Sequence, residues 1–426
     1  MDHKHPSGPV AAAMLALLPL AIGHADDWPR FRGPQGLGIG TGAGLPVTWS
    51  EDENIVWKTP LPGAGTSSPV VYGERVYLTA HTGYGISPES PGAMADLKRL
   101  VLCVNRGDGE ILWTRDVEPV LPETEYGGRM HWHGYASSTP AVDDAGVYCL
   151  LGTSGVVAFD HEGNRLWRTS VGTRTHEWGS ASSPVLAGGL VIVNAFVESG
   201  SLVALDKRTG DEVWRAEGLK ESWTTPLLVH LPDGRQELVV AIWAEVLGFD
   251  PATGEQLWSC KGLDWYIVGS MVCHGDVAFC LAGKGVEATL AVRAGGRGDV
   301  SDTHVLWRAR KGSNVSSPVF HDGYLYFAHE SQGIAYCVDA QTGAVAYERR
   351  LPRVGEIYAS PVVADGKLYY VSRLGGTLVL AARPEFELLG HNRMADDRSA
   401  FNASPAVSRG QILLRSGRFL YCVATQ

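Results

Sequence analysis

The sequence predicts an all-β fold, an eight-bladed β-propeller of four-stranded antiparallel blades, closed by an N-terminal strand that joins the C-terminal blade. One phrase, ending in a turn and a tryptophan, recurs as "AFDHEGNRLW" at 158, "ALDKRTGDEVW" at 204 and "GFDPATGEQLW" at 248. A second phrase, small residues with a proline and then an apolar run, occurs eight times. Repeats of about 45 residues that contain short strands are typical of propeller blades.

The second phrase predicts strands A and B of each blade. Its copies are separated by 42 to 47 residues after a first step of 71 residues. Proline is tolerated near the start of strand A, because the innermost strand has a free edge that faces the central channel. The marker positions of the eight copies are Pro69, Pro140, Pro184, Pro226, Met271, Pro318, Pro361 and Pro405.

The first phrase predicts strands C and D. Strand C ends at an acidic residue such as Asp206, and the Thr-Gly turn supplies the positive φ that a hairpin needs. Strand D carries a large ring that we expect to wedge between blades and to bury about 150–250 Å². We interpret these rings as structural: Trp57, Trp113, Trp167, Trp214, Trp258, Trp307 and Tyr347.

The two ends of the chain complete one blade. The last copy stops at "FLYCVATQ", which is a strand C without a following strand D. The missing strand lies in "NIVWKTPL", where Trp57 precedes the first strand A. An N-terminal strand D would remove the exposed sheet edges of an open ring. The sequence therefore predicts a single domain over residues 26–426.

Residues 1–25 are predicted to be an export signal, with an apolar run followed by small residues. An uncleaved anchor is the alternative, and no cysteine supports a lipid-modified start. After cleavage we expect no transmembrane span, while peripheral association with a membrane stays open. The formal net charge of -10 argues against nucleic acid as a partner. The prediction is a bacterial protein that is periplasmic or secreted.

The seven cysteines are an odd number, and their pairing is left open. Cys103, Cys337 and Cys422 occupy matching places in the repeat, so we interpret them as small core residues. The sequence contains no adjacent cysteine pair and no C-x-x-C.

The pattern A-x-D-x-x-T-G-x-x-x-W, clearest in "ALDKRTGDEVW", resembles the pyrroloquinoline-quinone (PQQ)-type propeller repeat. The resemblance covers essentially the whole mature chain. This family includes quinoprotein dehydrogenases and non-enzymatic scaffolds of outer-membrane protein assembly. The dehydrogenases hold the quinone beneath a disulfide between neighbouring cysteines and use a calcium ion. This chain has no such pair and no obvious calcium set, so the resemblance is nearer to the scaffolds.

A binding surface is predicted on the propeller face that carries the B–C and D–A connections. Both long insertions, 81–98 and 117–135, fall on this face. The segments entering strand A are rich in aromatic and polar residues, which suit a ligand pocket; the alternative is that they merely plug the channel. The predicted ligand-binding residues are His133, Tyr135, His176, Glu177, Trp178, Trp223, Tyr266, Glu356, Tyr358 and Arg398.

The leading functional hypothesis is an exported, non-catalytic scaffold that binds a protein, peptide or small ligand, with no cofactor expected. One alternative is a dehydrogenase of alcohols or sugars that uses PQQ and Ca²⁺, with Glu177, Asp264 or Glu356 as base. Another is a carbohydrate-binding propeller that stacks sugars on aromatic rings. His131, His133, His176 and Glu177 could form a metal site, but loop histidines are the simpler account, and no metal is predicted.

Overall fold

The structure, a computed structural model, describes residue 1, residues 26–283 and residues 288–425. The described residues form eight sheets in a ring, each built from four antiparallel strands, and one sheet gains a fifth short strand. The predicted eight-bladed propeller is confirmed. The predicted signal segment lies outside the described residues except for Met1.

The first four blades follow one another along the chain. Their strands A to D are, in order, β2 (Val70–Tyr72), β3 (Arg75–Thr82), β4 (Lys98–Asn105) and β5 (Ile111–Val117) in blade 1; β6 (Ala141–Asp143), β7 (Gly146–Leu150), β8 (Val156–Phe159) and β9 (Arg165–Thr169) in blade 2; β10 (Val185–Ala187), β11 (Leu190–Ala195), β12 (Ser201–Asp206) and β13 (Glu212–Glu217) in blade 3; and β14 (Leu227–His230), β15 (Gln236–Ile242), β16 (Glu245–Phe249) and β17 (Gln256–Lys261) in blade 4.

The other four blades complete the ring. Their strands are β18 (Val272–His274), β19 (Val277–Leu281), β20 (Thr289–Arg293) and β22 (Val305–Ala309) in blade 5; β23 (Val319–His321), β24 (Tyr324–His329), β25 (Ile334–Asp339) and β26 (Val345–Arg350) in blade 6; β27 (Val362–Ala364), β28 (Lys367–Ser372), β29 (Gly376–Ala381) and β30 (Leu388–Asn392) in blade 7; and β31 (Ala406–Ser408), β32 (Gln411–Arg415), β33 (Phe419–Val423) and β1 (Ile55–Pro60) in blade 8.

Helical turns occur only in the B–C and D–A connections of the described chain, on what we call the upper face. They are the 3₁₀ turns Met94–Asp96 and Gly152–Ser154 and the short helices α1 (Met130–His133) and α2 (Phe196–Ser199). Within residues 26–283 and 288–425, no helix has both the length and the apolar character needed to cross a membrane.

The ring is closed as predicted. Strand β1 pairs antiparallel with β33, and Trp57 and Lys58 lie opposite Cys422 and Tyr421. The Tyr421 hydroxyl is buried and donates a hydrogen bond to Asp397 Oδ2 at 2.9 Å. The first and last strands therefore belong to one sheet, and together they complete a four-stranded blade.

The strand D tryptophans pack across the boundary to the next blade. The Trp167 indole N–H donates to Lys207 O at 3.0 Å in the C–D turn of blade 3. A Cβ placed on Gly210 of that turn would lie 2.6 Å from Trp167 Cδ2. Four other tryptophans make the same contacts with the following turn: Trp57, Trp113, Trp214 and Trp307. The turn glycine is therefore needed for space as well as for its positive φ.

Trp258 is the exception to this packing. The C–D connection of blade 5 is longer, and its short strand β21 (Gly298–Asp299) pairs in parallel with strand β17 of blade 4. Trp258 turns to its own blade and donates to Glu237 Oε2 at 2.7 Å. Arg297 pairs with the same buried carboxylate at 3.1 Å. The Arg-Gly-Asp sequence at 297–299 therefore lies in the connection that links blade 5 to blade 4.

A belt of hydroxyl groups runs round the inner edge of the ring. The residue before each strand A marker donates its backbone N–H to the side-chain hydroxyl of the corresponding residue in the next blade. All eight bonds are formed, at 2.9–3.1 Å, and the last runs from Ser404 N to Ser68 Oγ. The members of this hydroxyl belt are Ser68, Thr139, Ser183, Thr225, Ser270, Ser317, Ser360 and Ser404. The hydroxyl residue before each marker therefore satisfies one backbone N–H group at the inner edge of every blade.

The segment before β1 crosses the lower end of the channel. Trp28 pairs with Val71 in blade 1, and Ile39 pairs with Val363 in blade 7. Between them Arg32 is 1% exposed and donates to the carbonyl of Pro318 in blade 6. Burial lowers the pKa of Arg32 to about 9. The channel is therefore closed from below by residues 28–40.

Candidate functional site

A cavity of about 410 Å³ opens on the upper face at the propeller axis. One residue from every blade lines it, always the third residue before the strand A marker. These eight residues are Thr66, Ser137, Ala181, Trp223, Val268, Val315, Tyr358 and Asn402. The repeat register therefore places one side chain per blade at the axis, and we call this space the axial cavity.

The axial cavity has two unlike halves. Blades 3 to 6 contribute the apolar residues Ala181, Trp223, Val268 and Val315. Blades 7, 8, 1 and 2 contribute groups that form hydrogen bonds, namely Tyr358, Asn402, Thr66 and Ser137. Its size lies within the range of about 300–1,000 Å³ that is common for ligand pockets. An amphipathic ligand would match both halves.

Three rings form the wall above the apolar half. The Trp178 ring centroid lies 4.7 Å from that of Trp223 and 4.6 Å from that of Tyr266. Trp223 and Tyr266 are only 4% and 7% exposed, and Trp223 donates its indole N–H to Gly179 O at 3.0 Å. Their faces are largely covered by one another, so these rings form a firm apolar wall.

Arginine and tryptophan alternate above the polar half. The Arg129 guanidinium lies 4.3 Å from the Trp178 ring centroid and 5.5 Å from that of Trp132. On the other side of Trp132, Arg373 lies 5.9 Å from its ring and 4.7 Å from the ring of Tyr358. Stacking on aromatic faces leaves the in-plane N–H donors of a guanidinium free to bind anions.

The two arginines differ in their partners. Arg373 forms an ion pair with Glu356 and donates from Nε to Asn402 Oδ1 at 2.9 Å. The Tyr358 hydroxyl donates to the same Glu356 at 3.4 Å, and burial raises the pKa of Tyr358 to about 12. Among the described residues, Arg129 forms no ion pair with a carboxylate. Arg129 is therefore an arginine of the cavity lining without an ion pair among the described residues, although Glu125 and Glu177 line an adjoining depression with it.

An acidic group faces Arg129 from the opposite side of the ring. Glu330, in the B–C connection of blade 6, accepts the backbone N–H of Asn314 at 3.1 Å. His329 Nδ1 lies 3.6 Å from its carboxylate. Asn314 also lines the cavity and donates to the Tyr266 hydroxyl at 3.2 Å. Its buried amide oxygen accepts no hydrogen bond from the described chain.

His133 is held as a neutral base at the polar side. Its Nδ1 lies 2.8 Å from Ser137 Oγ, and burial lowers the pKa of His133 below the ordinary value. A neutral imidazole adds hydrogen-bonding capacity without charge.

A longer groove joins the axial cavity at its polar side. It encloses about 690 Å³ between blades 8 and 1 and is bordered by residues 60–66, His131 and Phe419. The groove and the cavity share Thr66, Trp132, His133 and Asn402. We call it the blade 8–1 groove, and it adjoins the axial cavity on the upper face.

Six of the ten predicted ligand-binding residues line the axial cavity: His133, Trp178, Trp223, Tyr266, Glu356 and Tyr358. His176 and Glu177 lie in an adjoining depression of about 530 Å³, which shares Arg129 and Trp178 with the axial cavity, and the His176 ring lies 5.0 Å from that of Trp223. Arg398 borders a third depression of about 360 Å³. Tyr135 is buried under the insertions and donates to Thr124 O at 2.6 Å.

The sequence prediction missed Arg129, Trp132 and Glu330, together with most of the small residues at the cavity floor. The floor could have been found, because its members share one position three residues before the marker of strand A. Arg129 and Trp132 carry no such signal, since they lie in an insertion without a repeat. The possible metal ligands are not gathered, because His131 and His133 line the blade 8–1 groove, whereas His176 and Glu177 line another depression.

Residues 92–217 and 198–423 match the family model described as outer membrane protein assembly factor BamB. The chain belongs to this family. The match confirms the resemblance to PQQ-type propellers and its position nearer to the assembly scaffolds. No curated protein matches the chain.

Solved structures with this fold include members of both branches. BamB from Moraxella catarrhalis is 14% identical, with a TM-score of 0.60, over 87% of this chain and 97% of its own. A europium-containing methanol dehydrogenase is 12% identical, with a TM-score of 0.67, over 94% of this chain and 98% of its own. Quinohemoprotein alcohol dehydrogenase from Comamonas testosteroni is 12% identical, with a TM-score of 0.64, over 95% and 81%. At such identities the likeness to each structure shows the fold alone.

All seven cysteines of this BamB-family chain are free. Cys103, Cys337 and Cys422 are fully buried in strand C, as predicted for core residues. Burial raises the pKa of the cysteine thiols, for Cys273 to about 11. Across residues 26–283 and 288–425, no group of three or more His, Cys, Asp or Glu side chains is arranged to hold a metal ion.

Proposed function

We propose that this protein is an exported, non-catalytic scaffold, periplasmic or secreted, that binds a polypeptide partner on its upper face. The observation that carries the proposal is the amphipathic axial cavity and its continuity with the blade 8–1 groove. A pocket that adjoins a larger groove suits a chain with one anchoring side chain. Both long insertions border this surface, as expected for loops that carry binding.

The residues round the axial cavity fit PQQ and calcium poorly. PQQ carries three carboxylates, whereas the lining presents the carboxylates of Glu330 and Glu356 and one arginine without an ion pair among the described residues, Arg129. Of the candidate bases, Glu356 is held by Arg373, and Glu177 lies in another depression. The free cysteines are strand residues and provide no disulfide platform. These features support binding over quinone-dependent oxidation.

A sugar ligand is also less well supported. Carbohydrate stacking needs an open aromatic face, but Trp178 is covered by Arg129 on the outside and packs against Trp223 and Tyr266. The Trp132 ring likewise has two guanidinium groups near it, at 5.5 Å and 5.9 Å from its centroid. The rings serve mainly to hold arginines and to line an apolar half.

Selection from a displayed library of random 12-residue peptides tests the proposal. We expect enrichment of peptides that bind the wild-type protein and fail to bind Val315→Trp, in which the indole fills the apolar half. Val315 is only partly buried, so the variant should keep its fold, which near-ultraviolet circular dichroism checks. Ala181→Leu is a milder variant at the same level of the cavity.

The same preparation should reduce no dye with alcohols or sugars after incubation with PQQ and Ca²⁺. Dye reduction that depends on Glu356 would contradict the scaffold proposal and favour the dehydrogenase. Failure to enrich any peptide that depends on the axial cavity would also contradict it.

A further inference from the structure

The axial cavity combines the guanidinium of Arg129, which has no ion pair among the described residues, with a floor that has no lower exit. We infer that the axial cavity receives the C-terminal residue of a polypeptide, with its terminal carboxylate on Arg129 and a large apolar side chain in the apolar half. This inference rests on the proposed function and specifies which part of the partner is bound.

The Arg129 side chain is positioned to bind a carboxylate. Arg129 is oriented by Trp178 at 4.3 Å and Trp132 at 5.5 Å, so its fork is held over the cavity at little entropic cost. Arg373, by contrast, already has Glu356 and Asn402 as partners. A planar carboxylate matches the guanidinium fork through two parallel hydrogen bonds.

The axial cavity is open at the upper face and closed below. The hydroxyl belt surrounds the channel below the cavity floor, and residues 28–40 cross its lower end. A chain that enters from the upper face therefore meets a closed floor. An internal segment would have to reverse direction within the cavity, whereas a terminal residue ends there. The closed floor favours a chain end over an internal segment.

The rest of the bound chain needs a surface next to the axial cavity. The blade 8–1 groove leaves the cavity at Thr66, Trp132, His133 and Asn402. It can hold the residues that precede the terminal one. The Glu330 carboxylate also lines the cavity and can accept a backbone N–H group of the peptide.

Binding of defined hexapeptides tests the inference by isothermal titration. The probes are N-acetylated hexapeptides that end in phenylalanine, one with a free carboxylate and one with a carboxamide, and a free-acid peptide that ends in serine. We expect the phenylalanine acid to bind about tenfold or more tightly than either other peptide, because a charge-assisted pair and an apolar contact are both available.

The variant Arg129→Gln should reduce the preference for the acid over the amide to less than about twofold. Arg129 is exposed, so its replacement should not disturb folding. The matched control is Arg208→Gln, an exposed arginine in the C–D turn of blade 3, which should keep the full preference.

Equal affinity for acid and amide would overturn the inference while leaving the proposed function standing, because an internal segment would then be the ligand. Absence of binding by all three hexapeptides would also overturn it, and the library selection would decide the proposed function independently. Retention of the acid preference in Arg129→Gln would show that another group binds the carboxylate.

Discussion

At the scale of single residues, two buried carboxyl groups near the upper face are held in different ways. Glu123 forms an ion pair with Arg99 and accepts the Thr153 hydroxyl at 2.6 Å. Glu198, in α2 beneath the aromatic wall, is 2% exposed and receives the Ser180 hydroxyl. Burial raises the pKa of the Glu198 carboxyl above its ordinary value of 4.5, and the nearby Glu123 adds to the rise.

The raised pKa of Glu198 makes the stability of the wild-type protein depend on pH. The folded protein holds this proton more tightly than the unfolded chain, so its contribution is present below pH 4.5 and declines as the pH rises towards the folded pKa. Glu198→Gln removes this decline. We expect the free energy of unfolding of the variant, relative to wild type, to increase between pH 4.5 and neutral pH in urea titrations at several pH values.

The matched control is Glu255→Gln, because Glu255 is exposed in the C–D turn of blade 4. Its difference from wild type should stay constant over the same range. A constant difference for Glu198→Gln as well would show that burial does not perturb this group.

At the scale of the structural element, the C–D turn joins neighbouring blades. Its glycine has positive φ, and the tryptophan of the preceding blade packs directly on it, as Trp167 does on Gly210. Where blade 5 replaces this turn by a longer connection, Trp258 loses the contact and binds Glu237. The tryptophan of one repeat therefore contacts the turn glycine of the next. Both residues of this interblade contact can be recognised from the sequence pattern of a single repeat.

Two glycine substitutions separate backbone strain from lost packing. Gly188 has a φ of +57° with open space around it, so Gly188→Ala should cost about 1–2 kcal/mol from the left-handed backbone alone. Gly210→Ala suffers the same strain and also drives Cβ towards Trp167. We expect a further loss of about 1–3 kcal/mol from overpacking.

Equilibrium unfolding in urea, followed by tryptophan fluorescence, measures both variants of this pair. Equal losses for Gly188→Ala and Gly210→Ala would mean that Trp167 moves away without cost. The interblade role of the turn glycine would then be wrong.

At the scale of the whole molecule, the ring is held by two closed circuits. The hydroxyl belt links each blade to the next and returns from Ser404 to Ser68. The β1–β33 pairing joins the chain ends in blade 8. In the other blades the four core strands follow one another along the chain, whereas blade 8 depends on strands more than 350 residues apart in sequence.

Blade 8 should therefore respond to a core substitution differently from an interior blade. Tyr421 and Tyr336 occupy the same position of strand C, and both are buried. Each change to alanine should lower the free energy of unfolding by about 3–5 kcal/mol, because it creates a cavity. We expect only Tyr421→Ala to speed hydrogen exchange in β1 as well, because that strand has no adjacent strand in sequence to hold it.

Hydrogen exchange monitored by mass spectrometry, on peptides that cover Ile55–Pro60, provides the measurement. Tyr421→Phe, which keeps the ring and loses the bond to Asp397, serves as a milder form. Unchanged exchange of β1 in Tyr421→Ala would show that the closing strand is held independently of the tyrosine.

The sequence alone determined the number of blades, the closing strand and the tryptophan positions, because each follows from a pattern that is local to one repeat. It also indicated the upper face and six residues of the axial cavity, since those residues lie in the segments that lead into strand A. Only the tertiary structure decided that Arg129 stacks on Trp178, that residues 28–40 close the channel, and that β21 crosses to blade 4. These contacts join segments that have no repeat, and their partners lie in distant blades. No local pattern encodes such distances, because they arise only when the circle of blades brings the segments together.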